Sequence, residues 1–236
     1  RQPHPYRSDT LEIVNYLARF NLASPVRVLL LAHYDTRAVA DQDPDPANRN
    51  QPILGANDGA SGVAVLLQLA KLMAREPPLV GVDLLLVDAE DVGRSGDLAN
   101  FALGTKAFLT ALDQLLGGIR PRYAVLLDMV GDAQLRLPIE YYSWRDSRRL
   151  VQRIWRLARD LGYSQFVFEY GPAIYDDHVP LLEAGIPAVD IIDMNYPNAY
   201  GPSYWHTLED TPDKCSPESL EAVGTVVTIL IYSERP

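Results

Sequence analysis

The sequence predicts an α/β fold: a single domain with a mostly parallel central sheet flanked by helices. Three observations carry that reading. Four short apolar runs, Val26 to Ala32, Val80 to Val87, Tyr123 to Leu127 and Ala188 to Ile192, are nearly continuous rather than alternating, as expected of strands covered on both faces. Segments of helical periodicity lie between and around them. The length of 236 residues suits one catalytic-size domain, 1–236, and no repeat, low-complexity tract or linker divides it.

The elements follow in chain order. After the first strand comes a long segment rich in Asp, Pro and Asn, Tyr34 to Ala56, whose stretch Asp41 to Asn50 is expected to be a surface insertion. The Asp residues there lack the ligand spacing of a calcium loop. Asn57 is placed to cap a helix from about Gly59 to Arg75, and Thr105 to start another through Leu115. Leu150, Ile154, Leu157 and Leu161 fall on one stripe, with Val151, Trp155 and Ala158 beside it, so this helix buries one face. A second long loop, Asn195 to Pro212, carries Pro, Tyr, Gly and Trp. Ser216 followed by Pro217 starts a last helix, with Val223, Val226, Val227 and Leu230 as its buried face.

Composition narrows the function classes. Apolar residues make up 47% and charged residues 22%, as in a packed globule. Lys plus Arg is 21 against 31 Asp plus Glu, a net charge of −10, and an acidic surface repels a phosphate backbone; nucleic acid is not an expected partner. The longest apolar run, Val226 to Ile231, is broken by Thr228 and falls far short of the ~20 residues of a membrane span, so no transmembrane segment is expected. One cysteine, Cys215, excludes an intramolecular disulfide and a multi-cysteine zinc module.

Ligands of open α/β sheets bind beyond the carboxyl ends of the strands. There the first run is followed by His33-Tyr34-Asp35, the second by Asp88, Glu90 and Asp91, the third by Asp128, and the fourth by Asp193 and the loop carrying His206. Asp58 adds another acid at a helix start. So many like charges on one rim call for a cation. Three of the four histidines, His33, His178 and His206, have acidic neighbours, and oxygen and nitrogen ligands without thiolate fit zinc, with manganese or cobalt as substitutes. The pair Glu90-Asp91, directly after an apolar strand, is expected to point its carboxylates to opposite sides, one to a metal and one to a substrate. Trp205, in a Pro/Gly loop without periodic apolar partners, reads as a pocket wall.

Leu31-Ala32-His33-Tyr34-Asp35-Thr36, Gly55 to Val63 (GANDGASGV) and Asp88-Ala89-Glu90-Asp91 resemble the zinc-dependent aminopeptidase clan. Tyr175-Asp176-Asp177-His178-Val179-Pro180 and Tyr204-Trp205-His206-Thr207 resemble, within it, the glutaminyl-peptide cyclotransferases, or glutaminyl cyclases. The motifs occur in matching order from about Val26 to the end. The resemblance implies a zinc exopeptidase-like fold and one zinc ion at Asp58, Asp91 and His206, with Asp91 standing where animal enzymes have Glu. It implies Glu90 as the proton-transfer residue, Asp128 and Asp176 as supporting acids, and Trp205 packing on substrate. The implied reaction turns the N-terminal glutamine of peptides or proteins into pyroglutamate with release of ammonia. Secreted animal members carry a disulfide beginning just before the histidine of the first motif; Ala32 holds that place here, so the chain resembles a bacterial member. Relatives of that kind are exported, so a periplasmic or secreted location is expected, although the chain starts at Arg1 without a signal peptide. Two other readings use the same residues. A two-zinc aminopeptidase would bridge its metals with Asp58, complete the second site with His33 and Asp128, and use Glu90 to activate water. A non-catalytic binding module on the same fold would be expected to have lost ligands, and all of them are present.

Overall fold

The computed structural model describes residues 1–6, 9–94, 96–197 and 203–236. Strands β1 (Gln2–Tyr6) and β2 (Asp9–Ile13) form an antiparallel pair ahead of β3 (Tyr16–Phe20) and β4 (Arg27–His33). Then come α1 (Ala60–Arg75), β5 (Gly81–Val87), α2 (Leu103–Thr110), α3 (Leu112–Leu116), β6 (Ala124–Asp128), β7 (Leu137–Ile139) and α4 (Tyr141–Asp160). β8 (Phe166–Tyr170), α5 (His178–Glu183), β9 (Ala188–Ile192) and α6 (Pro217–Tyr232) complete the chain. The central sheet has the order β3-β5-β4-β6-β9. β4, β5, β6 and β9 run parallel, and β3 alone is antiparallel, against β5. The four apolar runs are therefore its parallel strands, and β3, the antiparallel edge, makes the sheet mixed.

Alternation along β4 sets the layers. Val28, Leu30 and Ala32 face a core shared with Val65, Leu66 and Leu69 of α1, Ile154 and Trp155 of α4, and Val223, Val226 and Val227 of α6. Leu29 and Leu31 face the opposite core with Phe108, Leu112, Leu116 and Leu181. Every residue of β4 is buried, which explains the unbroken apolar run, and each fully buried Leu is worth about 1.5–3 kcal/mol. Gly62 lets α1 press onto the sheet: a Cβ there would collide with the Leu127 carbonyl oxygen and lie 3.0 Å from Ala32 Cβ.

At the other end of the sheet Arg27 is fully buried. Its Nε and Nη2 donate to the Asp83 carboxylate at 2.7 and 2.8 Å, and its remaining N–H groups reach the carbonyls of Phe20, Asn21 and Val82. At the β9 edge, the outward N–H groups of Ala188 and Asp190 donate to Ser147 Oγ and Ser143 Oγ of α4. α4 kinks at Ser147, where φ is −128° and ψ 34°.

Three expectations need correction. Asn57 does not cap α1: Gly59 is the capping residue, and Asn57 Oδ1 accepts the Gly131 N–H at 2.7 Å, tying the turn before α1 to the segment after β6. The single helix from Thr105 to Leu115 is two, because the chain leaves helical geometry at Ala111. Leu161 lies past the end of α4 and is 38% exposed, outside the buried stripe. Ser216 does cap α6, accepting the Ser219 N–H.

Candidate active site

The carboxyl ends of β4, β5, β6 and β9 converge on one cavity of about 80 Å³. Asp58, Glu90, Asp91, Asp128, Asp176, Trp205 and His206 all line it, so the seven residues that the resemblance assigns lie together. Its volume is roughly that of three water molecules at about 30 Å³ each. A larger cavity of about 490 Å³ between α1 and α6 is mostly apolar and holds no cluster of ionisable groups.

Backbone geometry aims these side chains. Ala89, Met129 and His206 have positive φ (56°, 49° and 56°), a region that side chains other than Gly rarely adopt. Each sits beside or at a site residue, turning the chain sharply as a strand exits or a loop doubles back. Two aspartates hold the loops. Asp35 accepts the N–H groups of Glu90 and Asp91, both at 3.1 Å. Asp210 accepts those of Asn57 at 2.8 Å and Asp58 at 3.3 Å, and the Tyr196 hydroxyl at 2.9 Å. Gly59 is dictated by close approach, since a Cβ there would lie 2.5 Å from the His33 ring.

Two trios of ligand atoms share Asp58. In the first, His206 Nε2 lies 2.9 Å from Asp91 Oδ2 and 3.3 Å from Asp58 Oδ2. In the second, His33 Nε2 lies 3.0 Å from Asp128 Oδ1 and 3.2 Å from Asp58 Oδ1. Within each trio the ligand atoms lie within 4.8 Å of one another. Asp91 Oδ2 is buried and accepts no well-aligned hydrogen bond, as suits an oxygen available to a metal. These groups fit a small divalent cation with oxygen and nitrogen ligands.

The electrostatics carry the same strain. Burial raises the Glu90 carboxyl well above the usual range, helped by Asp176 and Asp91 and opposed by His33. Asp176 is pushed up to about 7 by burial and then by Asp128. Asp128 is pushed up to about 6 by burial, against the pull of His33. Burial also acts to raise Asp58, but hydrogen bonds from His206 and His33 hold it far below the carboxylate range. Burial works to lower His206, yet Asp58 and Asp91 carry it to about 9. Crowding of acids in a buried site thus pushes most of them toward their neutral forms, a repulsion that a bound cation would relieve.

Glu90 and Asp91 both line the cavity: Asp91 Oδ2 lies 2.9 Å from His206 Nε2, and Glu90 feels the charge of Asp176. Trp205 stacks on the His206 ring, centroids 3.8 Å apart. Other strand-end groups serve the backbone. Asp88 accepts the Val14 N–H, Asp193 accepts those of Arg136 and Asn195, and His178 is buried against Glu140 at 3.1 Å.

The stretch Asp41 to Asn50 is more than a surface insertion. Asp43 is buried and accepts the Leu208 N–H at 3.2 Å, and the Gln42 N–H donates to the His206 carbonyl. Asp43 thus ties the stretch to the distant loop that carries His206, while Asp41 pairs with Arg37 and Asp45 accepts the Ala47 N–H. Part of that second loop, 198–202, lies outside the described residues. Sequence reasoning also missed the apolar walls Phe101, Ile174, Tyr175, Ile192 and Met194. Ile174 and Tyr175 directly precede Asp176, and that adjacency was the available signal.

Glutaminyl cyclase from Bacteroides thetaiotaomicron, solved bound to N-acetylhistamine, aligns with a TM-score of 0.90 at 36% identity, covering 96% of this chain and 80% of that one. A leucine aminopeptidase precursor from the same organism gives 0.85 at 35% identity, covering 94% and 77%. Aminopeptidase YwaD of Bacillus subtilis is 26% identical over 221 residues, 90% of this chain and 42% of its own length. Bovine glutaminyl-peptide cyclotransferase is 21% identical over 260 residues, 97% of this chain and 67% of its own. The chain therefore spans under half of the first curated relative and about two thirds of the second. Residues 15–231 match the family profile along nearly the whole described fold, and the chain belongs to peptidase family M28.

Proposed function

We propose that this chain is a zinc-dependent glutaminyl-peptide cyclotransferase, an acyl-transfer enzyme that converts N-terminal glutamine of peptides and proteins to pyroglutamate and ammonia. On this reading residues 1–236 act as one catalytic domain. The observation that carries it is the gathering of Glu90, Asp128, Asp176 and Trp205 around the trio Asp58, Asp91 and His206 in one small cavity. An acid at Asp176 beside a stacked Trp205-His206 pair favours cyclisation over peptide hydrolysis.

A zinc ion at Asp58, Asp91 and His206 would supply Lewis-acid polarisation of the substrate γ-carbonyl. The protein's own groups do the rest. The α-amine and the γ-amide belong to one residue, so closing the five-membered ring needs orientation more than concentration. Trp205 and the apolar walls pack the glutamine side chain. Glu90 takes a proton from the attacking α-amine and delivers it to the departing nitrogen, which leaves as ammonia. Asp128 and Asp176 hold Glu90 and the amide in place. His33 Nε2 lies within 3.2 Å of Asp128 and Asp58, the second trio that a two-metal centre would use, and we assign one ion rather than two because Asp176 and Trp205 favour the one-metal cyclase. Export to the periplasm or medium accompanies this reading. Among the described residues no helix is long and apolar enough to cross a membrane.

The test is ammonia release from a Gln-initiated peptide, abolished by chelator and restored by zinc, beside a Leu-initiated control. Two stoichiometric zinc ions with release of leucine would make the chain a two-metal aminopeptidase instead.

A further inference from the structure

Arg37 comes from the long loop after β4 and is only 8% exposed. Its Nη1 donates to the Asp91 main-chain oxygen at 3.0 Å, to Asp91 Oδ1 at 3.2 Å and to the Gly93 carbonyl. Its Nε and Nη2 clasp the Asp41 carboxylate at 3.2 and 2.7 Å. Asp41 Oδ1 in turn lies 3.4 Å from His206 Nδ1. The fork thus touches one of the three residues assigned to zinc, Asp91, directly, and reaches a second, His206, through Asp41. Asp91 Oδ1 is occupied by Arg37, which leaves Oδ2 for the centre. Asp41 stands beside His206 Nδ1, and Nε2 faces the centre, 2.9 Å from Asp91 Oδ2.

We infer that Arg37 and Asp41 are positioning residues that set the affinity and geometry of the metal centre, a role resting on the assignment of zinc to Asp58, Asp91 and His206. Asp41 Oδ1, 3.4 Å from His206 Nδ1, sets a negative charge beside that nitrogen and so favours the tautomer with the proton on Nδ1 and a lone pair on Nε2. Arg37 pins both Asp41 and the rotation of Asp91. The pair adds one positive and one negative charge, so it orients the ligands without changing the net charge that meets the ion. It also compensates for the short arm of Asp91: the guanidinium holds the Asp91 main chain as well as its side chain, keeping that backbone close.

The test is zinc affinity of the metal-free protein, by competition with a chromophoric chelator, together with the visible spectrum of the cobalt-substituted protein. Asp41→Asn and Arg37→Met are expected to bind zinc about 10–100-fold more weakly, the usual effect of losing a hydrogen-bonding partner of a metal ligand. Their cobalt spectra are expected to shift. Metal-free Tm of Asp41→Asn should stay near that of wild type, that of Arg37→Met should fall because Asp91 loses its buried cation, and Asp41→Glu should recover most of the affinity. Wild-type zinc affinity and cobalt spectra in both variants overturn the clamp while leaving the zinc site standing. No zinc uptake by the wild-type chain, or undiminished uptake by His206→Ala, overturns the zinc assignment and the clamp together. If Arg37→Met fails to fold, Asp41→Asn and Arg37→Lys decide the question.

Discussion

Glu90 and Asp91 are neighbours in sequence and share a cavity wall, and the proposed mechanism gives them separate work. Glu90→Gln keeps the shape of the side chain and removes its basicity. It is expected to retain zinc and to lose about two to four orders of magnitude in turnover, the range for a positioned acid/base group. Asp91→Asn should instead lower zinc content, with added zinc restoring part of the rate. Near wild-type turnover by zinc-loaded Glu90→Gln would end its role as proton carrier. His206→Ala should remove most bound zinc and most activity, read by elemental analysis beside the ammonia assay; full zinc occupancy would remove His206 from the ligand set. The candidate ligands were legible in the sequence because α/β sheets present their strand exits to one rim: His33 and Asp128 close apolar runs, Asp91 comes four residues after one, and His206 sits in the loop that follows the fourth. Arg37 and Asp41 were not legible: their meaning depends on His206, more than 160 residues further on, and on Asp91.

Among the elements, the parallel strands announced themselves because both faces are buried, whereas β3 and β8 did not. β3 is an edge strand with Tyr16 59% exposed, and β8 leaves Phe168 and Tyr170 largely in water. Neither is apolar on two sides, so neither carries the continuous signature. β7 is three residues long and contains Pro138, too short for any periodicity. The charged start of β4 was equally silent. Arg27 and Asp83 are both fully buried, and Arg19 adds a second bond to Asp83 at 2.8 Å. Removing the guanidinium leaves a buried carboxylate with only that one cation. Arg27→Met is expected to destabilise the fold by about 3–5 kcal/mol, measured as a lower urea midpoint. A change under about 1 kcal/mol would mean that Arg19 alone satisfies Asp83.

Across the whole molecule, one carboxylate near the chain's end ties three elements. Glu234 accepts from the Tyr123 hydroxyl ahead of β6 at 2.8 Å, from Arg122 at 2.8 Å and from Arg153 of α4. Burial alone would raise its carboxyl, but Tyr123, Arg153 and Arg122 hold it below the usual 4.5. A carboxylate whose folded value is depressed contributes stability above its unfolded value and loses it as pH falls through the folded value. Glu234→Gln should therefore be less stable than wild type at pH 7 by roughly 1–3 kcal/mol. The gap should close as the pH drops below about 4.5, the ordinary value. Thermal unfolding at several pH values checks this, and a gap independent of pH would exclude the charge as its cause.

Asp210 joins two distant parts of the chain: its carboxylate receives the amides of Asn57 and Asp58, which come from before α1. Those two amide hydrogens can trade with solvent deuterium only when the segment bearing Trp205, His206 and Asp210 lets go. Their exchange rate is thus a clock for how often the catalytic rim comes apart, independent of any substrate. Zinc held jointly by Asp58 and His206 would cross-link the same two segments, so loading the metal should slow exchange at Asn57 and Asp58 far more than in the middle of β4. Equal slowing everywhere would mean that the rim opens only when the entire molecule unfolds.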